Sequence, residues 1–304
     1  MNPIQNILVV LEANSTSQPA LERAKHFAEK HPCQITVRLG ANSRSAEINP
    51  NSTLNFKQQL ENNCLDYIHQ FTQPLIDEGF NINISLGWED NSFEGIIHHA
   101  QETQAQIIIK SSKHHNKLKS FLITPTDWHL LRKSPLPILL VHAANPLKPT
   151  KILAAVSSMT TDEEHQILDL KVIDYAKSLS EMFHANLQVI NAYTMVPLGL
   201  SLDGSGFYQD EYCQDLQQQL HRKTLNLTRQ FSIPDSVVET RQGEVHQVIV
   251  EFAEEQKIDL VVLGTIARQG LSGMLLGNTV EQILDDLECA VLTLKQDGFE
   301  SNLV

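Results

Sequence analysis

The stretch Leu260-Val261-Val262-Leu263-Gly264-Thr265-Ile266-Ala267-Arg268-Gln269-Gly270-Leu271-Ser272-Gly273-Met274-Leu275-Leu276-Gly277-Asn278-Thr279-Val280-Glu281 runs from four aliphatic residues through four glycines to a polar helix start. A short apolar run closed by glycine reads as a buried strand, and Asn278-Thr279-Val280-Glu281 reads as the first turn of a helix. Outward from it, apolar runs alternate with segments of helical period. The strands are expected at Ile152–Val156, Leu187–Ala192, Val237–Thr240, Leu260–Leu263 and Ala290–Leu294, and the helices near Glu164–Phe183, Glu211–Phe231, Val245–Gln256 and Thr279–Leu287. That alternation predicts a five-stranded parallel open sheet with helices on both faces. Such sheets bind ligands beyond the carboxyl ends of their strands, at the topological switch point.

The first half repeats the second. At a constant shift of 153 residues Ile107-Ile108-Ile109 falls on Leu260-Val261-Val262, Ile96-Ile97 on Ile249-Val250, and Leu118 and Leu122 on Leu271 and Leu275. Earlier strands correspond at slightly smaller shifts, Ile7-Leu8-Val9-Val10 with Ile152-Leu153-Ala154-Ala155 and Ile35-Thr36-Val37 with Leu187-Gln188-Val189. The reading is therefore two tandem α/β domains, residues 1–144 and 151–304, joined by a linker over 145–150 that carries Pro146 and Pro149.

The bulk numbers agree with two soluble domains. The chain has 304 residues, 41% hydrophobic and 19% charged, and no apolar run near the length of about 20 residues that a membrane span needs. Its start, Met1-Asn2-Pro3-Ile4, has no cationic region before an apolar one, so a cytoplasmic protein is expected rather than a secreted one. A net charge of -13 argues against nucleic acid and anionic membrane as partners. Cys33, Cys64, Cys213 and Cys289 are widely spaced without a CxxC pair and are expected as free thiols.

The glycine loop is where chemistry is expected. Glycine lets backbone amides approach phosphate oxygens, and the unpaired amides of a helix start favour an anion. Gly277, Asn278 and Thr279 would form such a cradle, with Arg268 as a cation above it. The competing reading is structural: Asn278 with Glu281 as a capping box. The loop is neither a Walker A motif nor a Rossmann fingerprint. At the shift of 153, Ser111, His114, Thr124, Pro125 and Thr126 replace Gly264, Ala267, Gly277, Asn278 and Thr279. Thr124-Pro125-Thr126-Asp127 reads as a self-sufficient helix start, with threonine as N-cap, proline first in the helix and aspartate reaching back. That copy is not expected to hold ATP in the usual way.

The spacing of Gly264, Ala267 (in place of a glycine) and Gly277 before a small polar residue resembles the ATP-binding signature of the universal stress proteins. Thr124 to Lys133, and Trp88 to Phe93, resemble the first domain of the family's tandem, E-type members. The resemblance implies a Rossmann-like fold of the adenine nucleotide alpha hydrolase type and ATP, with Mg²⁺, as ligand. It also places the nucleoside against the residues ending the first two strands: Ser157, where the family carries an acid, and Ala192, with Ala155 and Leu263 beside them. Glu12 stands at the acidic position of the first copy. The last strands, Ile138–Val141 and Val291–Leu294, are implied to pair across the domain boundary as an internal pseudo-dimer, and a homo-oligomer stays open.

No nucleophile elbow, HExxH or paired metal-binding aspartates occur, so a slow ATPase is the most enzymatic reading. His98-His99 diverge by about 100° on a helix and are read as solvated surface. His114 or His115 leaves an adventitious metal open. Met195 to Leu202 is either a lid or local packing. Three functions follow: a nucleotide-binding stress regulator or sensor, an interaction scaffold with vestigial pockets, or a first domain that holds another metabolite.

Overall fold

Short continuous apolar runs place the strands, and segments of helical period place the helices between them. The computed structural model describes residues 3–40, 53–87, 92–114, 121–157, 162–194, 207–265, 268–270, 273–275 and 277–299. The chain divides into two units, Asn2–Lys148 and Pro149–Phe299.

The first unit runs β1 (Asn6–Val10), α1 (Pro19–Lys30), β2 (Gln34–Gly40), α2 (Thr53–Asp77), β3 (Asn81–Gly87), α3 (Phe93–Glu102) and β4 (Ile107–Ser111). A short pair, β5 (Lys113–His114) and β6 (Phe121–Leu122), precedes α4 (Pro125–Lys133) and β7 (Ile138–Val141). Its main sheet is parallel, in the order β3-β2-β1-β4-β7. Ile7, Leu8, Val9, Ile35, Val37, Ile107, Ile108 and Ile109 are buried along the central strands. Burial on both faces of the sheet explains why these strands read as continuous apolar runs rather than alternating ones. Ser92 caps α3 by accepting from the Gly95 amide.

The second unit runs β8 (Lys151–Val156), α5 (Glu163–Phe183), β9 (Asn186–Tyr193), α6 (Phe207–Arg229), β10 (Val238–Gln242), α7 (Val245–Gln256) and β11 (Leu260–Gly264). A hairpin, β12 (Arg268–Gly270) with β13 (Gly273–Leu275), leads to α8 (Asn278–Asp286) and β14 (Ala290–Leu294). The sheet order, β10-β9-β8-β11-β14, reproduces that of the first unit. Asp162 caps α5 by accepting from the Glu164 amide. α5 and α7 end on His184 and Lys257 in the left-handed conformation, φ 55° and 53°.

One linkage shows how deep the repetition goes. In the second unit Asp259, just before β11, accepts from the Thr150 and Lys151 amides at 2.7 and 3.0 Å. At the equivalent place before β4, Gln106 accepts from the Gln5 and Asn6 amides. Each side chain satisfies the otherwise unpaired amides where the first strand of its sheet begins.

In both units the switch point falls between the first and fourth main strands: β1 and β4, then β8 and β11. The helix boundaries expected from sequence agree within four residues, α7 on both ends. The hairpin β12–β13 and the pair β5–β6 were not expected, because each strand is only two or three residues long and carries no measurable period.

Candidate functional site

In the second unit the expected residues of β8, β9 and β11 gather at the carboxyl ends of adjacent strands. Leu263 pairs with Ala155, and Ala155 with Ile190. Val156 pairs with Asn191, so Ser157 and Ala192 stand at the next level up. Leu263, Ala155 and Ala192 are buried, whereas Ser157 is exposed. The exit of β11 is pinned by Thr265, whose amide and hydroxyl both donate to the Leu294 carbonyl, at 2.8 and 3.2 Å.

The four loop glycines separate into three roles. A Cβ on Gly264 would meet the Leu168 side chain of α5 at 2.6 Å, so this glycine permits close helix-on-strand packing. Gly270 and Gly273 face each other in the hairpin β12–β13. Gly277 is different: a Cβ there would meet nothing within 4 Å. It is the N-cap of α8, at φ -62° and ψ 138°, and no side chain caps it. The first bonds of the helix run from the Val280 and Glu281 amides to the Gly277 carbonyl, 2.9 and 3.1 Å. Asn278 is thus the first helical residue rather than the cap, and Asn278 and Thr279 are exposed. Among the described residues no group accepts from the Asn278 or Thr279 amide. Ala267 lies outside the described residues, and Arg268 is described by its backbone alone, paired with Leu275.

A residue that sequence reasoning missed stands beside Ser157. The Ser157 amide donates to both oxygens of Asp169, at 3.1 and 3.2 Å. Asp169 sits on the apolar stripe of α5 with Leu168, Val172, Ile173 and Ala176, and only 8% of it is exposed. Burial raises its carboxyl to about 6, against the opposing pull of the Ser157 amide and His165. The available signal was an aspartate within a run of core positions, which calls for a partner.

The first unit has rebuilt the same place. Thr124 and Asp127 form a reciprocal capping box: the Asp127 amide donates to Thr124 Oγ1, and Asp127 Oδ2 accepts from the Thr124 amide at 2.8 Å. The other oxygen of Asp127 meets Lys110 Nζ at 2.9 Å, and Lys110 also donates to Glu12 Oε1 at 2.6 Å. Lys110 is 5% exposed and Asp127 fully buried. Burial alone would lower the Lys110 ammonium, but Asp127 and Glu12 outweigh it and hold it above its ordinary value. Lys110 is the counterpart of Leu263 at the shift of 153, so a cation stands in place of an aliphatic residue and crosslinks the acid that follows β1 to the start of α4. Ser111, the counterpart of Gly264, accepts from the Ala20 amide through Oγ at 3.2 Å and so anchors the start of α1.

Other candidates are accounted for. His98 and His99 each reach Glu102, at 3.3 Å. The four cysteines are free thiols, with Cys33 and Cys289 buried. Trp88, His115 and the segment from Met195 to Leu202 lie outside the described residues. Among the described residues no helix is long and apolar enough to cross a membrane.

The same parallel strand order in each unit, with helices between the strands, defines a tandem protein of the α/β class. The chain belongs to the universal stress protein family, whose model matches residues 3–142 and again 151–295. It is similar to Universal stress protein E of Salmonella typhi, 30% identical over 302 residues that cover 98% of this chain and 96% of the relative. Among solved structures it resembles a putative universal stress protein from Pseudomonas aeruginosa UCBPP-PA14, at 28% identity and TM-score 0.77, covering 97% of this chain and 94% of that one. A universal stress protein from Archaeoglobus fulgidus DSM 4304, at 14% identity, TM-score 0.65 and coverage of 95% and 98%, shares the fold.

Proposed function

We propose that the second unit binds ATP or a related nucleotide, and that the protein serves as a cytoplasmic stress-response regulator or sensor. The phosphates, with Mg²⁺, lie at the Gly277–Thr279 helix start. The nucleoside lies against Ala155, Ser157, Ala192 and Leu263, with Gly264, Ala267 and Arg268 along the intervening loop.

The observation that carries this reading is a contrast within one chain. The start of α8 has no side-chain cap and open space over its glycine, while the equivalent start of α4 is closed by Thr124 and Asp127. Unpaired amides at a helix start, joined to the helix dipole, form an anion site. Any hydrolysis would be slow, with positioning and electrostatics alone doing the work.

Thermal melts of the full chain with and without millimolar Mg-ATP test this. A rise that saturates with ligand supports nucleotide binding, because a ligand specific for the folded state adds RT ln(1 + [L]/Kd) to its stability. No rise would leave the chain an interaction scaffold in its second unit.

A further inference from the structure

The second unit has a cleft at the amino ends of its strands, at the opposite end of the sheet from Ser157. It measures 460 Å³, and Lys151, Lys177, Ser180, Ile233, Pro234 and Val237 are among the residues that line it. That volume falls in the range of about 300–1,000 Å³ typical of small-molecule sites. Lys151 opens β8, and Lys177 and Ser180 lie in the last turns of α5. Ile233, Pro234 and Val237 belong to the connection between α6 and β10.

The first unit shows what fills this place when the chain itself supplies the groups. At the shift of 152 that superposes Ile35 on Leu187, Lys25 of α1 falls on Lys177 of α5. Lys25 Nζ meets Glu78 Oε2 at 2.6 Å and stands 5.5 Å from the centroid of the Phe80 ring. Glu78 and Phe80 both come from the turn that leads into β3. A carboxylate and a phenyl ring are thus brought together on one ammonium, each answering a different part of the lysine environment.

The second unit keeps the lysine and lacks both partners. The turn from Pro234 to Val237 has no aromatic residue, and its acid, Asp235, is taken by Arg229 at 2.6 Å. Lys177 pairs instead with Glu181 of its own helix at 3.0 Å, and the Glu181 side chain is 66% exposed. A surface pair of that kind contributes little and yields readily to another anion. Lys151 Nζ donates to the Gln256 carbonyl at 2.6 Å, which uses one of the three donors of an ammonium. Among the described residues the lining holds these two lysines and no acid. A bare anion would leave the wall of Ile233, Pro234 and Val237 uncovered, and an uncharged ring would leave the ammonium groups unanswered.

We propose that this cleft binds an aryl carboxylate, a small molecule with an aromatic ring on a short arm that ends in a carboxylate. The carboxylate sits on Lys177 and Lys151, and the ring lies against Ile233, Pro234 and Val237. The bound molecule takes the place that Glu78 and Phe80 hold in the first unit. This site is separate from nucleotide binding, which would use the carboxyl ends of the strands.

The test is isothermal titration calorimetry of the full chain with hydrocinnamate. Three comparison ligands are hydrocinnamyl alcohol, which keeps the ring without the charge, propionate, which keeps the charge without the ring, and inorganic phosphate. Hydrocinnamate is expected to bind at millimolar concentration or below, with each of the other three weaker by about tenfold or more. Lys177→Gln should weaken hydrocinnamate by about tenfold, and Lys177→Arg, which keeps the cation, should retain it. The Lys177 side chain is 29% exposed, so Lys177→Gln should melt with the native chain, which separates loss of binding from loss of fold. Three results would each overturn the proposal: no binding of hydrocinnamate at millimolar concentration, equal binding of any comparison ligand, or hydrocinnamate binding undiminished by Lys177→Gln.

Discussion

Replacing Gly277 by aspartate should stabilise the protein and abolish its response to nucleotide at the same time. Gly277 has φ -62° and ψ 138°, a conformation open to any residue, and a Cβ there meets nothing within 4 Å. Aspartate would enter without strain and cap the start of α8, as Thr124 and Asp127 cap α4. Glycine to aspartate at an N-cap is worth a few tenths of a kcal/mol, and a carboxylate beside the helix dipole adds about 0.3–1 kcal/mol. The sum, roughly 0.5–1 kcal/mol, corresponds to a rise of about 1–4 °C in a unit of this size. The native chain at nucleotide a hundredfold above Kd should instead gain about 2.7 kcal/mol, or roughly 5–10 °C. Differential scanning fluorimetry of both proteins, with and without Mg-ATP, measures all four values. A variant that still shows the full nucleotide rise would refute the placement of phosphate at this helix start. So would an unliganded variant that melts below the native chain.

Three further outcomes follow from the same geometry. Asp169, raised to about 6 by burial, binds its proton more tightly folded than unfolded. The stability it contributes is complete below about pH 3.8 and is lost as pH rises through about 6. The advantage of Asp169→Asn over the native chain should therefore grow by about 2 kcal/mol between pH 4.5 and 7.5, and urea melts giving a constant difference would sink that assignment. Lys110→Met strands Glu12 and Asp127 without their shared cation and should cost about 3–5 kcal/mol in urea unfolding, whereas adding Glu12→Gln and Asp127→Asn should recover most of it. Gly264→Ala forces a methyl toward Leu168 and should cost about 1–3 kcal/mol; a double-mutant cycle with Leu168→Ala should show the two effects far from additive, and additivity would remove packing as the reason for that glycine.

Much of this architecture was legible before any coordinates. Ile107-Ile108-Ile109 and Leu260-Val261-Val262 announce buried parallel strands, because covering both faces of a sheet removes the alternation that a half-exposed strand would show. Thr124-Pro125-Thr126-Asp127 announces a capped helix, because capping acts over three residues of local backbone. The glycine loop was harder to read. Four glycines in a row of fourteen residues suggested one phosphate cradle, but Gly264 answers to Leu168 on a different helix, and Gly270 and Gly273 to each other. Only the absence of a neighbour at Gly277 sets it apart, and absence of a neighbour is a property of packing.

The sequence alone determined the two-fold repeat, the order of the five main strands and the helices of each unit, and the sealing of α4, since each is set by periodicity or by residues within a few positions of one another. Tertiary structure decided the rest: that Lys110 bridges Glu12 to Asp127, and that Asp169 holds the Ser157 amide. Those outcomes depend on which strands and helices lie side by side, and strand register sets the sheet face from which Lys110 of β4 reaches Glu12 and Asp127.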